Sequence, residues 1–157
     1  MSEPTIYLSN WSSHKTPGHH GPGRKWTIMA RPRRWEYGDG CVFALTPHPD
    51  HLVAVKAGDI TLAEYKRRWA SGVCEWVNGI SIPLQRHGFT FPTLHELSPG
   101  QLSASDAADN DFIVADGDTL CCACSRAAAA KGECHRVWAA DLLKEAGWRV
   151  VLDGVEL

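Results

Sequence analysis

The chain has 157 residues, and its 16 Lys and Arg nearly balance its 18 Asp and Glu, for a formal net charge of −2. That length is about one domain with room for a real core; no apolar stretch approaches the roughly 20 residues that span a bilayer, and no charged start followed by an apolar run marks a signal peptide. Six cysteines, three of them between Cys121 and Cys124, suit a cytoplasmic chain better than a disulfide framework.

Residues 5–9, apolar and β-prone after Pro4, predict a first strand with Ser9 and Asn10 at its carboxyl end. Residues 16–25 hold Gly18, Gly21 and Gly23 with Pro17 and Pro22, so no regular element is expected there. Glycine amides followed by Arg24 and Lys25 could cradle a phosphate, although the GxxxxGK[ST] spacing of a P-loop is absent; an ordinary ordered loop is the alternative. Residues 26–30 form a short apolar segment, strand or helical turn, and Pro32 keeps 31–35 irregular. Residues 41–46 read as a core strand closed by Pro47 and Pro49, with His48 and His51 in the loop after it. Residues 60–69 predict a helix with Thr61 as N-cap and Glu64 as its capping-box partner, and with Leu62, Tyr65 and Trp69 on one buried face. Residues 72–88 are poorly patterned, 89–93 suggest a short edge strand, and 94–105 are polar around a Pro99-Gly100 turn. Residues 112–115 and 119–122 read as strands close enough across Asp116-Gly117-Asp118 to form a hairpin.

Charge is unevenly placed. No acidic residue lies between Glu3 and Glu36, an interval that holds His14, Lys15, His19, His20, Arg24, Lys25, Arg31, Arg33 and Arg34. A one-sided basic segment implies an anionic partner, either a small molecule or nucleic acid. Arg and Trp interleaved there could stack on bases or on one another. The alternative is a solvated loop paired with the later acidic residues Asp106, Asp109, Asp111, Asp116 and Asp118.

The last quarter organises the rest. A strand at 119–122, a helix at 134–146 stopped by Gly147, and a β-branched strand at 149–152 make a βαβ unit, whose strands run parallel through a right-handed crossover. Ligands of such sheets sit beyond the carboxyl ends of the strands, which is where Cys122, Cys124, Cys134, His135 and Arg136 converge. Three readings stay open. Cys122, Cys124, Cys134 and His135 are soft ligands of the kind zinc takes, although neither cysteine pair has C-x-x-C spacing. Alternatively Cys134 at a helix N-terminus has a lowered pKa and becomes nucleophilic, with His135 near the reacting atom, Arg136 holding an anion and Glu133 as acid or base. Or these are small buried thiols with Arg136 in a salt bridge.

Leu120-Cys121-Cys122-Ala123-Cys124, then Cys134-His135-Arg136, a helix, and Gly147-Trp148-Arg149-Val150-Val151 resemble the C-terminal signature of the bacterial "domain of unknown function 488" family. The likeness covers about the last 40 residues. It implies that Cys122, Cys134, His135 and Arg136 are the site and, through the genomic company of relatives, nucleotide or nucleobase chemistry. The first half departs from the family, which commonly opens with a strand and a Gly-His motif.

The expectation is one α/β domain over 1–157, a mainly parallel sheet with flanking helices and a basic Gly/His/Pro loop over about 12–35. Cys134, His135 and Glu133 are the candidate catalytic residues; Arg136, Cys122, Ser9, Asn10, His19, His20, Arg24 and Lys25 are the candidate substrate-binding ones. The expected function is an enzyme binding a nucleotide, nucleoside or modified nucleobase, with glycosidic-bond cleavage or transfer as the reaction class. The alternatives are a non-catalytic nucleic-acid-binding module and a zinc-bound structural protein.

Overall fold

The computed structural model describes residues 3–30, 32–47, 49–71, 74–77, 80–83, 94–124, 128 and 131–157. The chain forms an eight-stranded mixed sheet. β1 (Thr5–Asn10) lies between β9 (Arg149–Leu152) and β8 (Thr119–Cys122), and beyond β8 come β2 (Lys25–Thr27) and β3 (Gly40–Cys41). These five strands run parallel. Antiparallel strands extend both edges: β6 (Ser103–Ser105) and β7 (Asp111–Ile113) next to β3, and β10 (Val155–Glu156) next to β9. β4 (Cys74–Val77) and β5 (Ile80–Pro83) form a separate hairpin. Among the described residues the α-helices include α1 (Pro49–Lys56), α2 (Leu62–Ser71), the single turn α3 (Leu94–Leu97) and α4 (His135–Glu145).

The alternation expected of strands puts Ile6, Leu8, Leu120 and Cys122 on one face, where they enter a single core with Val150 and with Trp138, Ala139, Ala140 and Leu143 of α4. Each fully buried Ile or Leu there contributes roughly 1.5–3 kcal/mol of transfer free energy. β8, α4 and β9 are the predicted βαβ unit, with β1 filling the gap between its two strands. Gly147 stops α4 at φ +108°, a conformation that disfavours any side chain. The buried Trp148 indole then donates to Leu97 O at 2.7 Å and ties the end of α4 to α3.

α2 begins as expected, with Glu64 N donating to Thr61 Oγ1 at 3.1 Å. The Glu64 carboxylate accepts instead from Arg67 and Arg68, at 2.6 and 2.9 Å. Tyr65 and Trp69 are buried, but Leu62 is 39% exposed. Other expectations are corrected. The run 41–46 is a strand only as far as Cys41; Val42 O then accepts from Leu45 N and Thr46 Oγ1, closing one tight helical turn over Phe43–Leu45. Its unbroken apolar character could not separate strand from turn. His51 lies inside α1, whose first residue is Pro49, a position where proline costs no hydrogen bond. His48, Arg31 and the strand expected at 89–93 lie outside the described residues.

The hairpin across 116–118 does not form. β7 pairs with β6 at the sheet edge, whereas β8 is central. Asp118 steers the chain between them: Oδ2 accepts from Ala115 N and Trp26 Nε1, at 2.9 and 2.8 Å, and Oδ1 from Arg24 N at 2.9 Å.

The Gly/Pro loop has a topological task. β1 and β2 are both parallel to β8, so the chain between them must return from the carboxyl edge of the sheet to its amino edge. No α-helix makes that return, only a single 3-10 turn over Trp11–Ser13. Instead the loop lies on the face opposite α4, with Gly21 N donating to Thr119 Oγ1 at 2.8 Å and Gly23 N to Gly117 O at 2.9 Å. A Cβ on Gly21 would stand 2.1 Å from Gly117 O and 2.4 Å from the Tyr7 ring. Gly21→Ala is therefore expected to destabilise the fold by about 2 kcal/mol, read as a lower urea midpoint at unchanged slope; an unshifted midpoint would contradict this packing.

Candidate functional site

Three elements meet beyond the carboxyl edge of the parallel strands. β8 ends at Cys122, in register with Asn10 at the end of β1. Cys124 follows two residues on, and Cys134 stands at the N-cap of α4. The Cys122, Cys124 and Cys134 sulfurs all lie within 4.8 Å of one another, with Cys122 and Cys134 at 3.4 Å. Behind them Arg136 is wholly buried. Its Nη1 donates to Cys122 Sγ at 3.1 Å, to Cys134 Sγ at 3.5 Å and to Cys124 O at 2.8 Å; its Nη2 donates to Asp153 Oδ2 at 3.0 Å. Asp153 follows β9, held at φ +48° with its amide on Leu8 O. It was not among the expected site residues; its place after a parallel strand, before Gly154, is the signal that marks it.

Hydrogen bonds from the Cys122 and Cys134 thiols hold Cys124 far below the usual thiol range, with His135 and Arg136 adding to the effect. The same hydrogen bonding keeps the proton on its neighbours: Cys122 is pushed up to about 11, chiefly by Cys124, and Cys134 is pushed up further. The Arg136 guanidinium, donating to the Cys122 and Cys134 sulfurs, offsets negative charge on the cluster. His135 is buried, and burial lowers its pKa. Its Nε2 lies 2.7 Å from Ile28 O, and a carbonyl only accepts, so Nε2 carries the proton. His135 is not part of the sulfur cluster.

A cavity of about 670 Å³ opens beside the thiols. Cys122, Cys124 and His135 lie on its wall; Met29, Pro47, Leu52, Val55, Leu62 and Tyr65 make most of the rest apolar, and Lys56 and Glu133 add one charge of each sign. Glu133 is exposed. A concave, mainly apolar space with a few convergent polar groups is the usual form of a small-molecule site.

The structure gathers Cys122, Cys124, Cys134, His135, Arg136 and Glu133 and leaves the early loop apart. His20 Nε2 donates to Asn10 O at 2.9 Å, and His19 packs against Gly154, so both stay near the carboxyl edge. Asn10 Oδ1 is taken by the Ser12 and Ser13 hydroxyls. Ser9 Oγ, His19 Nδ1 and His20 Nδ1 are buried without a hydrogen-bond partner among the described residues. None of these four residues lines the cavity. Arg24 and Lys25 sit at the opposite edge, at the start of β2, where the Arg24 guanidinium lies 4.5 Å above the Phe112 ring. Parallel pairing of β1 with β8 and of β8 with β2 forces this separation. No protein-family model, curated protein or solved structure matches the chain. Among the described residues, no helix is long and apolar enough to cross a membrane.

Proposed function

We propose that the chain is a thiolate-metal enzyme that processes a nucleoside or modified nucleobase in this cavity, with zinc as the ion. The observation that carries the reading is the set of three sulfurs within 4.8 Å beside a cavity. Zinc–sulfur bonds of about 2.3 Å at tetrahedral angles separate sulfurs by roughly 3.8 Å, within the spread seen here. Arg136 would donate to two of the ligand sulfurs and offset their charge. Because Cys122 and Cys124 lie on the cavity wall, a fourth position would face the cavity, as catalytic sites require and closed structural sites do not. Zinc bound there supplies a Lewis acid for polarising a substrate oxygen or activating water.

The chain's own groups fill the remaining roles. The apolar wall takes a planar ring out of water. Glu133, exposed on the rim, is the candidate proton carrier. The opposite charge of Lys56 favours a substrate with an acidic group. The likeness of residues 120–151 to the "domain of unknown function 488" signature supports the same residues as the site, and we propose the chain as a divergent relative. The five cysteines whose side chains the structure describes are free thiols, which suits a cytoplasmic setting.

Protein purified under reducing conditions without chelator is expected to carry about one zinc per chain, and Cys124→Ser less than about a tenth of that. Nucleosides and free bases at about 100 times their Kd are expected to raise the unfolding free energy by about 2.7 kcal/mol. Zinc-free wild type, or the same zinc content in Cys124→Ser, would refute the metal; no thermal shift with any nucleoside, nucleotide or base would refute the substrate class.

A further inference from the structure

We infer that Cys122 and Cys134 are a redox-active dithiol that peroxide closes into a disulfide, expelling the metal as it does so. The expulsion rests on the zinc reading above; the dithiol does not.

Among the five cysteines whose side chains the structure describes, Cys121 is buried away from the core cluster and Cys41 meets Thr46 Oγ1. Cys122 and Cys134 are different, because their sulfurs are already 3.4 Å apart. A disulfide needs about 2.05 Å, so the closing movement is smaller than a methyl group. Cys122 is fixed on a central strand, while Cys134 is an N-cap residue in extended backbone with no side-chain capping bond to break. Cys122 lies on the cavity wall. Both sulfurs belong to residues 1% exposed, so the oxidant must be small and must enter by the cavity. Hydrogen peroxide meets that requirement; a protein or glutathione disulfide does not. Arg136 Nη1, 3.1 Å from Cys122 Sγ, stabilises the negative charge that builds on that sulfur as it loses its proton.

The chemistry balances over two electrons. The Cys122 sulfur attacks one peroxide oxygen as it gives up its proton, the O–O bond breaks, and the departing hydroxide takes that proton and leaves as water, so Cys122 becomes a sulfenic acid. The Cys134 sulfur then attacks the Cys122 sulfur as it gives up its own proton, the S–O bond breaks, and the departing hydroxide takes that proton and leaves as water. Peroxide is reduced to two waters, and two sulfurs are oxidised to one disulfide. Two of the three sulfurs then lose the negative charge that a metal requires, and Cys124 alone cannot retain the ion.

The test treats reduced wild-type protein of measured zinc content with about one equivalent of hydrogen peroxide. Released zinc is followed with a chromogenic chelator, and the cysteine peptides are mapped with fragmentation that separates Cys122 from Cys121 and Cys124. The expected result is a Cys122–Cys134 link, zinc released in step with it, and reversal of both by dithiothreitol with added zinc. In the double variant Cys124→Ser/Cys134→Ser, which removes both neighbouring thiols, the Cys122 sulfenic acid should persist and be trapped by a cyclic 1,3-diketone. If that variant does not fold, the wild-type map alone decides. No link, or a link between other cysteines, overturns the dithiol. A Cys122–Cys134 link with zinc retained overturns the expulsion. A metal-free protein that still forms the link sinks the zinc reading and upholds the dithiol.

Discussion

Arg136→Met is expected to lower the melting temperature by about 6–12 °C, corresponding to about 3 kcal/mol in a chain of this size. Arg136 is the only charged side chain of the described residues that is 0% exposed. Its removal deprives Asp153 of the cation at 3.0 Å, Cys124 O of a donor at 2.8 Å, and two sulfurs of theirs. A buried ion pair contributes little over an apolar substitute, but breaking one half of it leaves the other charge without compensation. The Asp153 side chain retains 18% exposure, so water recovers part of the loss, and the figure stays at the low end of the range for half-broken pairs. Arg136→Lys keeps the charge but not the fork that reaches sulfur, carbonyl and carboxylate together, and should fall between wild type and Met. Thermal unfolding measures all three; a drop of under about 2 °C for Met would mean that the guanidinium does not hold this corner of the fold together.

Asp118→Ala should cost about 3–4 kcal/mol, since three N–H donors lose their acceptor in a residue only 3% exposed. Asp118→Asn should be nearly as harmful. Both carboxylate oxygens accept, one from Arg24 N and the other from Trp26 Nε1 and Ala115 N, and an amide offers one acceptor and turns its NH₂ toward another donor. Urea unfolding of both variants checks this. Asn within about 0.5 kcal/mol of wild type would show that the carboxylate's second oxygen is dispensable.

The sequence is most legible where periodicity is long. The helix after Cys134 and the strands flanking it follow from apolar spacing and from Gly147, and with them the meeting of Cys122, Cys124, Cys134 and Arg136. The second helix shows in Thr61 and in the spacing of Tyr65 and Trp69. What local pattern leaves open is which strand neighbours which. Residues 112–115 and 119–122 look like hairpin arms because they are close in sequence, yet the Asp118 carboxylate, tied to Trp26 and Arg24, carries the chain past β2. β3 and β6 are two and three residues long, too short for any alternation to register. The glycine loop looks like an anion cradle because glycines serve both close ligand approach and close chain packing; Gly117 and Tyr7, which occupy the space above Gly21, are distant in sequence. Asp153 escapes for a similar reason, since only the pairing of β9 with β1 brings it to Arg136.

β1 spends both of its hydrogen-bonding edges on partners from far down the chain: Tyr7 meets Thr119 on one side and Val151 on the other. During synthesis this strand leaves the ribosome before either neighbour, and its pairing waits for β8 and then β9 to emerge. Pairings of such long reach slow folding, because loop closure precedes any contact that rewards it. A chain cut short before Arg149 leaves one edge of β1 unpaired and should aggregate rather than fold partway.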